Sequence, residues 1–282
     1  QRTATFGSIN ITSSEGWDIF VAKLSSNGSW LWVVKAGGVS GDNGVGITVD
    51  SSDNAYVTGY FRDNARFGSI NLKAIHGGYP SFYDIFIAKL DSSGSWEWAV
   101  KAGGRSDDGD QMDSFDIGKG IAVDSSGNTY ATGYFRGNAT FGNTNLTSSG
   151  TSDIFIAKLN SSGSWQWAIK TGGQYGDSGN GIAVDSSGYV YVSGFFRGTA
   201  TFGSFSLTSS NLEGKYDFSD IFVAKLDSSG SWQWVVKAGG SSSDGGNGID
   251  VDSNGNVYVI GYFKKTASFG MISLTVYNEV DD

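Results

Sequence analysis

The chain has 282 residues, with 43 Gly, 9 Trp, 13 Tyr, 18 Phe, 1 Pro and no Cys, aromatic enough to build a core and too rich in glycine to be mostly helical. Its 19 basic and 28 acidic residues leave a formal charge of −9, which argues against nucleic acid or an anionic membrane surface as a partner. One His and no Cys remove the raw material for thiol nucleophiles, Cys zinc sites and repeated Ser/His triads.

No Pro/Ser linker or shift of composition divides the chain, so residues 1–282 read as one domain. No run of eighteen apolar residues suits membrane insertion. A start at Gln1 rather than Met reads as the trace of a removed leader and sets the expectation of an extracellular, secreted protein.

The first phrase in chain order is Thr3 to Thr12, which contains Thr5-Phe6-Gly7. Asp18-Ile-Phe-Val-Ala-Lys-Leu24 follows and returns at Asp84, Asp153 and Asp220, at steps of 66, 69 and 67 residues. One unit has been copied four times. Each copy runs on through Gly-Ser-Trp-x-Trp to Gly-Gly, for example Gly163 to Trp167 and then Gly172-Gly173. A Gly-Ile-x-Val-Asp segment comes next, as at Gly120 to Asp124, then a polar turn and an aromatic strand such as Thr129 to Phe135.

Every phrase predicts β-structure. Ile154 and Ile156 face one way and Phe155, Ala157 and Leu159 the other, so both faces of this strand need cover. The turns Asp91-Ser92-Ser93-Gly94 and Asp124-Ser125-Ser126-Gly127 offer Asx bonding and a positive-φ Gly, giving two hairpins and four strands per unit. No stretch has the spacing of three and four that a crossover helix needs. Four-stranded sheets covered on both faces describe an all-β fold, a β-propeller of four repeats and four blades. Gly120 and Ala122 suit the crowded innermost strand, and the pairs Trp30/Trp32, Trp96/Trp98, Trp165/Trp167 and Trp232/Trp234 are expected to project from one face of the outer hairpin.

The phrases D-I-F-[VI]-A-K-L, G-S-W-x-W, G-G and G-I-A-V-D-S-S-G-N resemble the bacterial β-propeller repeat family known as SBBP over nearly the whole chain. The resemblance implies a propeller in secreted or surface proteins and transfers no catalytic residue. The chain departs from the family in having four units rather than seven and an inserted Ala-Thr-Phe-Gly phrase. Because the first complete phrase is an outer hairpin and the last an inner one (Gly248 to Phe263), two closures stay open. Either the two terminal hairpins share a blade, or an open stack is completed by a neighbouring subunit.

The connector phrase occurs five times, at Phe6, Phe67, Phe141, Phe202 and Phe269, where four blades need four. The terminal copies, 3–12 and 266–277, compete for one place. They either pair with each other, or one frays, or a strand is donated to a second copy, which makes open filaments. Thr5, Phe6, Ile9, Phe269, Ile272, Leu274 and Val276 are the expected subunit-interface residues, and the partner is the chain itself.

Asp42, Asp108, Asp177 and Asp244 each lie four residues after Gly-Gly. Calcium could use such carboxylates, but an Asx turn explains them without an ion. Asp107, Asp108, Asp110, Asp113 and Asp116 form a denser acidic loop, in which Asp108, Asp110 and Asp113 are the metal candidates; it lacks the Gly and terminal Glu of an EF-hand loop. The inserts holding His76 and Pro80 and spanning Asn211 to Ser219 break the repeat without a recurring catalytic partner, so no enzyme and no obligatory cofactor are expected. Asn10, Asn27, Asn138, Asn145 and Asn160 match the N-glycosylation pattern. A carbohydrate-binding propeller or adhesin, with Trp stacked on sugar rings, is the alternative function to a structural subunit.

Overall fold

A computed structural model describes residues 2–75, 82–105, 115–210 and 218–276. These residues form 26 strands and no helix. Asp108, Asp110, Asp113, His76 and Pro80 lie outside them, as does most of the Asn211 insert.

In chain order, β1 (Thr3–Phe6) and β2 (Ile9–Thr12) form the first connector hairpin. An outer hairpin follows, β3 (Ile19–Leu24) and β4 (Trp30–Gly37), then an inner hairpin, β5 (Asn43–Val49) and β6 (Ala55–Arg62). The second unit has β7 (Asn64–Phe67), β8 (Ile70–Lys73), β9 (Tyr83–Leu90), β10 (Trp96–Arg105), β11 (Ile117–Val123) and β12 (Thr129–Phe135). The third has β13 (Asn138–Phe141), β14 (Thr144–Thr147), β15 (Asp153–Leu159), β16 (Trp165–Gly173), β17 (Ser178–Val184) and β18 (Val190–Arg197). The fourth has β19 (Thr199–Phe202), β20 (Phe205–Thr208), β21 (Ser219–Leu226), β22 (Trp232–Gly240), β23 (Gly245–Val251) and β24 (Val257–Tyr262), and the last connector is β25 (Thr266–Phe269) with β26 (Ile272–Thr275).

The turns are built as their residues require. Asp124 Oδ1 accepts the N–H groups of Ser126 and Asn128, while Oδ2 accepts Asn128 Nδ2 and the Tyr130 hydroxyl. One carboxylate therefore closes the hairpin and satisfies the polar end of a fully buried ring.

Three sheets are complete and have six strands rather than the expected four. They run β5-β6-β9-β10-β13-β14, β11-β12-β15-β16-β19-β20 and β17-β18-β21-β22-β25-β26. Each connector follows the inner hairpin of one blade and adds to the outer strand of the preceding blade, for example Ala102↔Phe141 and Gly103↔Thr140. The inserted phrase is thus a third hairpin that laces successive blades together. The remaining outer hairpin lies in β3-β4-β7-β8 and the remaining inner hairpin in β23-β24, as two separate sheets. Among the described residues no ladder joins β24 to β3.

Inner strands β5, β11, β17 and β23 adjoin in that order. A Cβ on Gly120 would sit 3.1 Å from Asn180 O and from Ile182 Cγ2 of the next inner strand, so the crowding expected there is real. The two faces of β15 divide as the alternation requires. Ile154 and Ile156 join the cluster with Phe196 and Phe222, and Phe155, Ala157 and Leu159 join the one with Phe135 and Phe141.

The tryptophan pairs correct the sequence reading. A register shift between Trp96 and Trp98 reverses the alternation, and the two rings serve opposite neighbours. Trp96 meets Phe67 of the preceding connector edge-on at 5.0 Å. Trp98 stands against Tyr56 at 6.2 Å, and its Nε1 donates to Ser161 O in the following blade at 3.2 Å. Replacing Trp98 by Ala is expected to cost about 2 kcal/mol, since a half-buried ring and an inter-blade hydrogen bond are lost together; denaturant unfolding checks this.

Candidate functional site

The second Trp of each pair is a staple. Trp32, Trp98 and Trp167 donate Nε1 to Ser92 O, Ser161 O and Ser228 O of the next outer turn at 3.1–3.2 Å. Their rings lie against Gly94, Gly163 and Gly230, where an added Cβ would come within 2.7–3.3 Å of ring carbons. The series has one unfilled member at each end. Trp234 rests on Tyr191 at 6.2 Å, with no following outer turn among the described residues. The outer turn at Ser26 and Gly28 has nothing within 4 Å of a Cβ placed on Gly28.

The sheet edges show the same complementarity. In complete blades the inner strand pairs with the outer hairpin, as in Tyr130↔Lys158 and Thr132↔Ile156, and Tyr130, Thr132 and Ile156 are fully buried. On β3, Phe20 is 57 % exposed and Leu24 is exposed, whereas Phe86, Phe155 and Phe222 are fully buried. On β24, Tyr258 is 62 % and Ile260 72 % exposed, whereas Tyr130 and Tyr191 are buried. A groove of about 400 Å³ runs along the open side of β3, lined by Ile19, Phe20, Leu24, Trp30, Val45 and Ile47. Large apolar patches of this kind mark contact surfaces.

The expected interface residues divide between the two terminal connectors. β25 docks on β22 through Gly239↔Ser268 and Gly240↔Ala267, so the last connector occupies its normal place. Among the described residues β1 and β2 pair only with each other. Thr5 and Phe6 therefore belong to the surplus hairpin, and Phe6 meets Trp30 edge-on at 5.1 Å. Ile9 is half-buried there. Phe269 is 38 % exposed, unlike the buried Phe67, Phe141 and Phe202, and Ile272, Leu274 and Val276 are also exposed. The sequence reading named Trp234 only as one of the paired tryptophans and missed Gly28, Phe20, Tyr258 and Ile260; their signal is that they are the end members of repeated pairs.

The Asx-turn reading of Asp42, Asp177 and Asp244 is overturned. Asp177 is buried, and its Oδ2 accepts Gly173 N–H at 2.7 Å while Oδ1 accepts Arg197 N–H at 2.9 Å, bridging two strand ends. Asp42 and Asp244 do the same with Gly38 and Arg62, and with Gly240 and Lys264. The member in the second unit is Asp116, not Asp108; it binds Gly104 and Arg136. Among the described residues no group of three or more His, Cys, Asp or Glu could hold a metal ion. The glycosylation candidates Asn10, Asn27, Asn138 and Asn145 are exposed and Asn160 is half-buried.

The beta-propeller repeat SBBP matches residues 31–60, 166–194 and 233–262, each running from an outer strand into the following inner hairpin. The chain carries SBBP beta-propeller repeats. It is 26 % identical over 296 residues to an uncharacterized WD repeat-containing protein of Acanthamoeba polyphaga mimivirus, covering 88 % of this chain and 21 % of that protein. It is 30 % identical over 115 residues to the regulatory protein FlaEY of Caulobacter vibrioides, covering 41 % of this chain and 12 % of that protein. The chain thus spans about a fifth or less of the length of these relatives.

The staple geometry has a differential consequence. Gly94 and Gly28 share a positive φ, 86° and 83°, so Ala at either carries similar backbone strain, but only at Gly94 does it also strike a Trp ring. In the isolated chain Gly94→Ala is expected to cost at least about 1 kcal/mol more than Gly28→Ala, as read from thermal denaturation.

Proposed function

We propose that the chain is a non-enzymatic structural protein of the extracellular space, an SBBP-repeat subunit that assembles head to tail with further copies of itself. One observation carries this reading. The two incomplete sheets are the two parts of a single blade: β23-β24 followed by β3-β4-β7-β8 repeats the strand order of the three complete sheets. By the register of those sheets, Tyr258 of one copy would face Lys23 of the next and Ile260 would face Val21. Trp234 would reach the Ser26 carbonyl and cover Gly28, as its three counterparts do within the chain. A head-to-tail contact of this type does not close on itself and yields filaments.

The surplus connector has a role in such a joint. Phe6 already occupies the ring of Trp30, where the internal pattern would seat Phe269 of the preceding copy. One of the two terminal hairpins must shift, so strand exchange between copies accompanies assembly. The formal charge of −9 favours solubility before assembly, and the exposed acceptor asparagines suit glycosylation outside the cell. The reading assigns the chain no catalytic group and no cofactor.

A carbohydrate-binding role is the second reading. It is favoured by a polar groove of about 410 Å³ between adjacent inner turns, lined by Asp50, Ser52, Tyr56, Lys89, Asp124 and Ser126. The tryptophans that would stack on sugars are engaged in blade contacts instead.

Electron microscopy and sedimentation of concentrated protein test the assembly. Wild type is expected to form filaments, and Trp234→Ala to weaken association at least about tenfold while destabilising the isolated chain less than Trp98→Ala, since no inter-blade hydrogen bond of Trp234 is lost there. A strictly monomeric wild type that binds glycan in proportion to its repeats would overturn the structural reading in favour of the second.

A further inference from the structure

Each blade holds a second aspartate beside the bridging one, at the start of the outer hairpin. Asp153 is paired with Asp177, Asp84 with Asp116, Asp18 with Asp42 and Asp220 with Asp244. In all four copies the two carboxylates converge on the glycine that ends the outer strand. Asp153 Oδ1 and Asp177 Oδ2 lie 2.9 and 2.7 Å from the one point that a Cβ on Gly172 would occupy. At Gly37 the distances are 2.6 Å for Asp18 Oδ1 and 2.8 Å for Asp42 Oδ2, at Gly103 2.7 Å for Asp84 Oδ1 and 3.0 Å for Asp116 Oδ2, and at Gly239 2.6 Å for Asp220 Oδ1 and 2.9 Å for Asp244 Oδ2. These glycines have φ between +137° and +147°, so no side chain separates the acids.

The hydrogen bonds around each pair are incomplete in one place. Asp153 Oδ2 accepts Ser149 N–H at 2.9 Å and Lys170 Nζ at 3.2 Å, and both oxygens of Asp177 accept backbone N–H groups. Asp153 Oδ1, Asp84 Oδ1 and Asp18 Oδ1 are buried and accept no hydrogen bond among the described residues. The side chains concerned are almost wholly buried, those of Asp84 and Asp153 about as completely as any in the chain. A buried acceptor with no donor is costly, and two buried carboxylates beside one ammonium carry excess negative charge, which at Asp177 the Arg197 guanidinium partly offsets. A single proton on the bridging acid supplies the missing donor and neutralises the set.

We propose that the pairs Asp18/Asp42, Asp84/Asp116 and Asp153/Asp177 each bind one proton, with the hydroxyl of the bridging acid donating to the orphaned oxygen of its neighbour. The titratable and charged groups facing each pair are the lysine on the outer strand (Lys35, Lys101, Lys170 or Lys237) and, by charge, Asp63 near Asp42, Tyr134 near Asp116 and Arg197 near Asp177. The lysine holds the far oxygen of the outer acid and leaves the facing oxygen open. Burial, followed by smaller effects of the neighbouring acid, pushes Asp116 up to about 8, Asp177 up to about 7 and Asp42 up to about 6. Burial pushes Asp84 up to about 6 as well, and raises Asp153 and Asp244.

The sign follows from linkage. A carboxyl raised on folding binds its proton more tightly in the native state, so its stabilisation is fully present at and below the unfolded value of 3.8 and is lost as pH rises from there to the folded values of about 6 to 8. The melting temperature of the wild-type chain is therefore expected to drop by at least about 5 °C between about pH 5 and pH 8.5. In the double variant Asp84→Asn, Asp153→Asn, each amide nitrogen replaces an orphaned oxygen and donates to the bridging carboxylate, while the amide oxygen keeps the bonds to Ser149 or Ile75 and the lysine. It is expected to lose much of the pH dependence and to melt at or above the wild type at the alkaline end. Carbon-13 NMR of the Asp116 and Asp177 carboxyls in the wild type should show midpoints above about 6. Carboxyl midpoints below about 5, a melting temperature that rises with pH across this range, or stabilisation of the wild type by added calcium at the alkaline end would each overturn the proposal.

Discussion

Burial of both faces of the Asp-Ile-Phe strand is the constraint on which the rest of the molecule depends. A strand whose isoleucines face one neighbour and whose Phe, Ala and Leu face the other has no surface for water, so every blade needs a blade on each side. The bulge between the paired tryptophans serves that constraint, because it sends one ring backward to a connector Phe and the other forward to the next turn. The connector hairpin adds a covalent lace across the same joint. Stability in such an array is close to a sum over neighbouring repeats, and the two end surfaces are where that sum stops short.

Those ends link packing to function. The exposed Phe20 and Leu24 on one side, and Tyr258 and Ile260 on the other, are the same positions that are buried in every complete blade. Their exposure follows from their place on the two incomplete sheets and not from their chemistry. Edge strands without cover invite pairing with another chain, and in the proposed assembly the inviting edge and the strand that meets it belong to one sequence.

Much of the architecture was legible in the residues. The repeat, the strand faces at Ile154 and Phe155, the Asx turns at Asp91 and Asp124, the small inner-strand residues and the surplus connector all follow from local alternation and turn chemistry. Three features did not, each for a physical reason. A bulge is one extra residue in a strand that still alternates on paper, so Trp96 and Trp98 read as same-sided. The docking of a connector on the preceding blade is a long-range pairing that Thr140 and Ala139 do not announce. The aspartate pairs join residues about two dozen positions apart, and in the second unit the bridging acid, Asp116, lies twelve residues after Gly104 where its counterparts lie four after their Gly-Gly. Spacing from Gly-Gly therefore pointed to Asp108.

Amide hydrogen exchange on dissociated and assembled protein tests the central claim most directly, because it reads each sheet edge separately. Completion of the split blade between copies requires that assembly strongly slow exchange in Val21–Lys23 and in Val257–Ile260 together, with Ser26–Gly28 following. Protection confined to Thr3–Thr12 and Ile272–Thr275, with β3 and β24 exchanging as fast as in the dissociated chain, would contradict it.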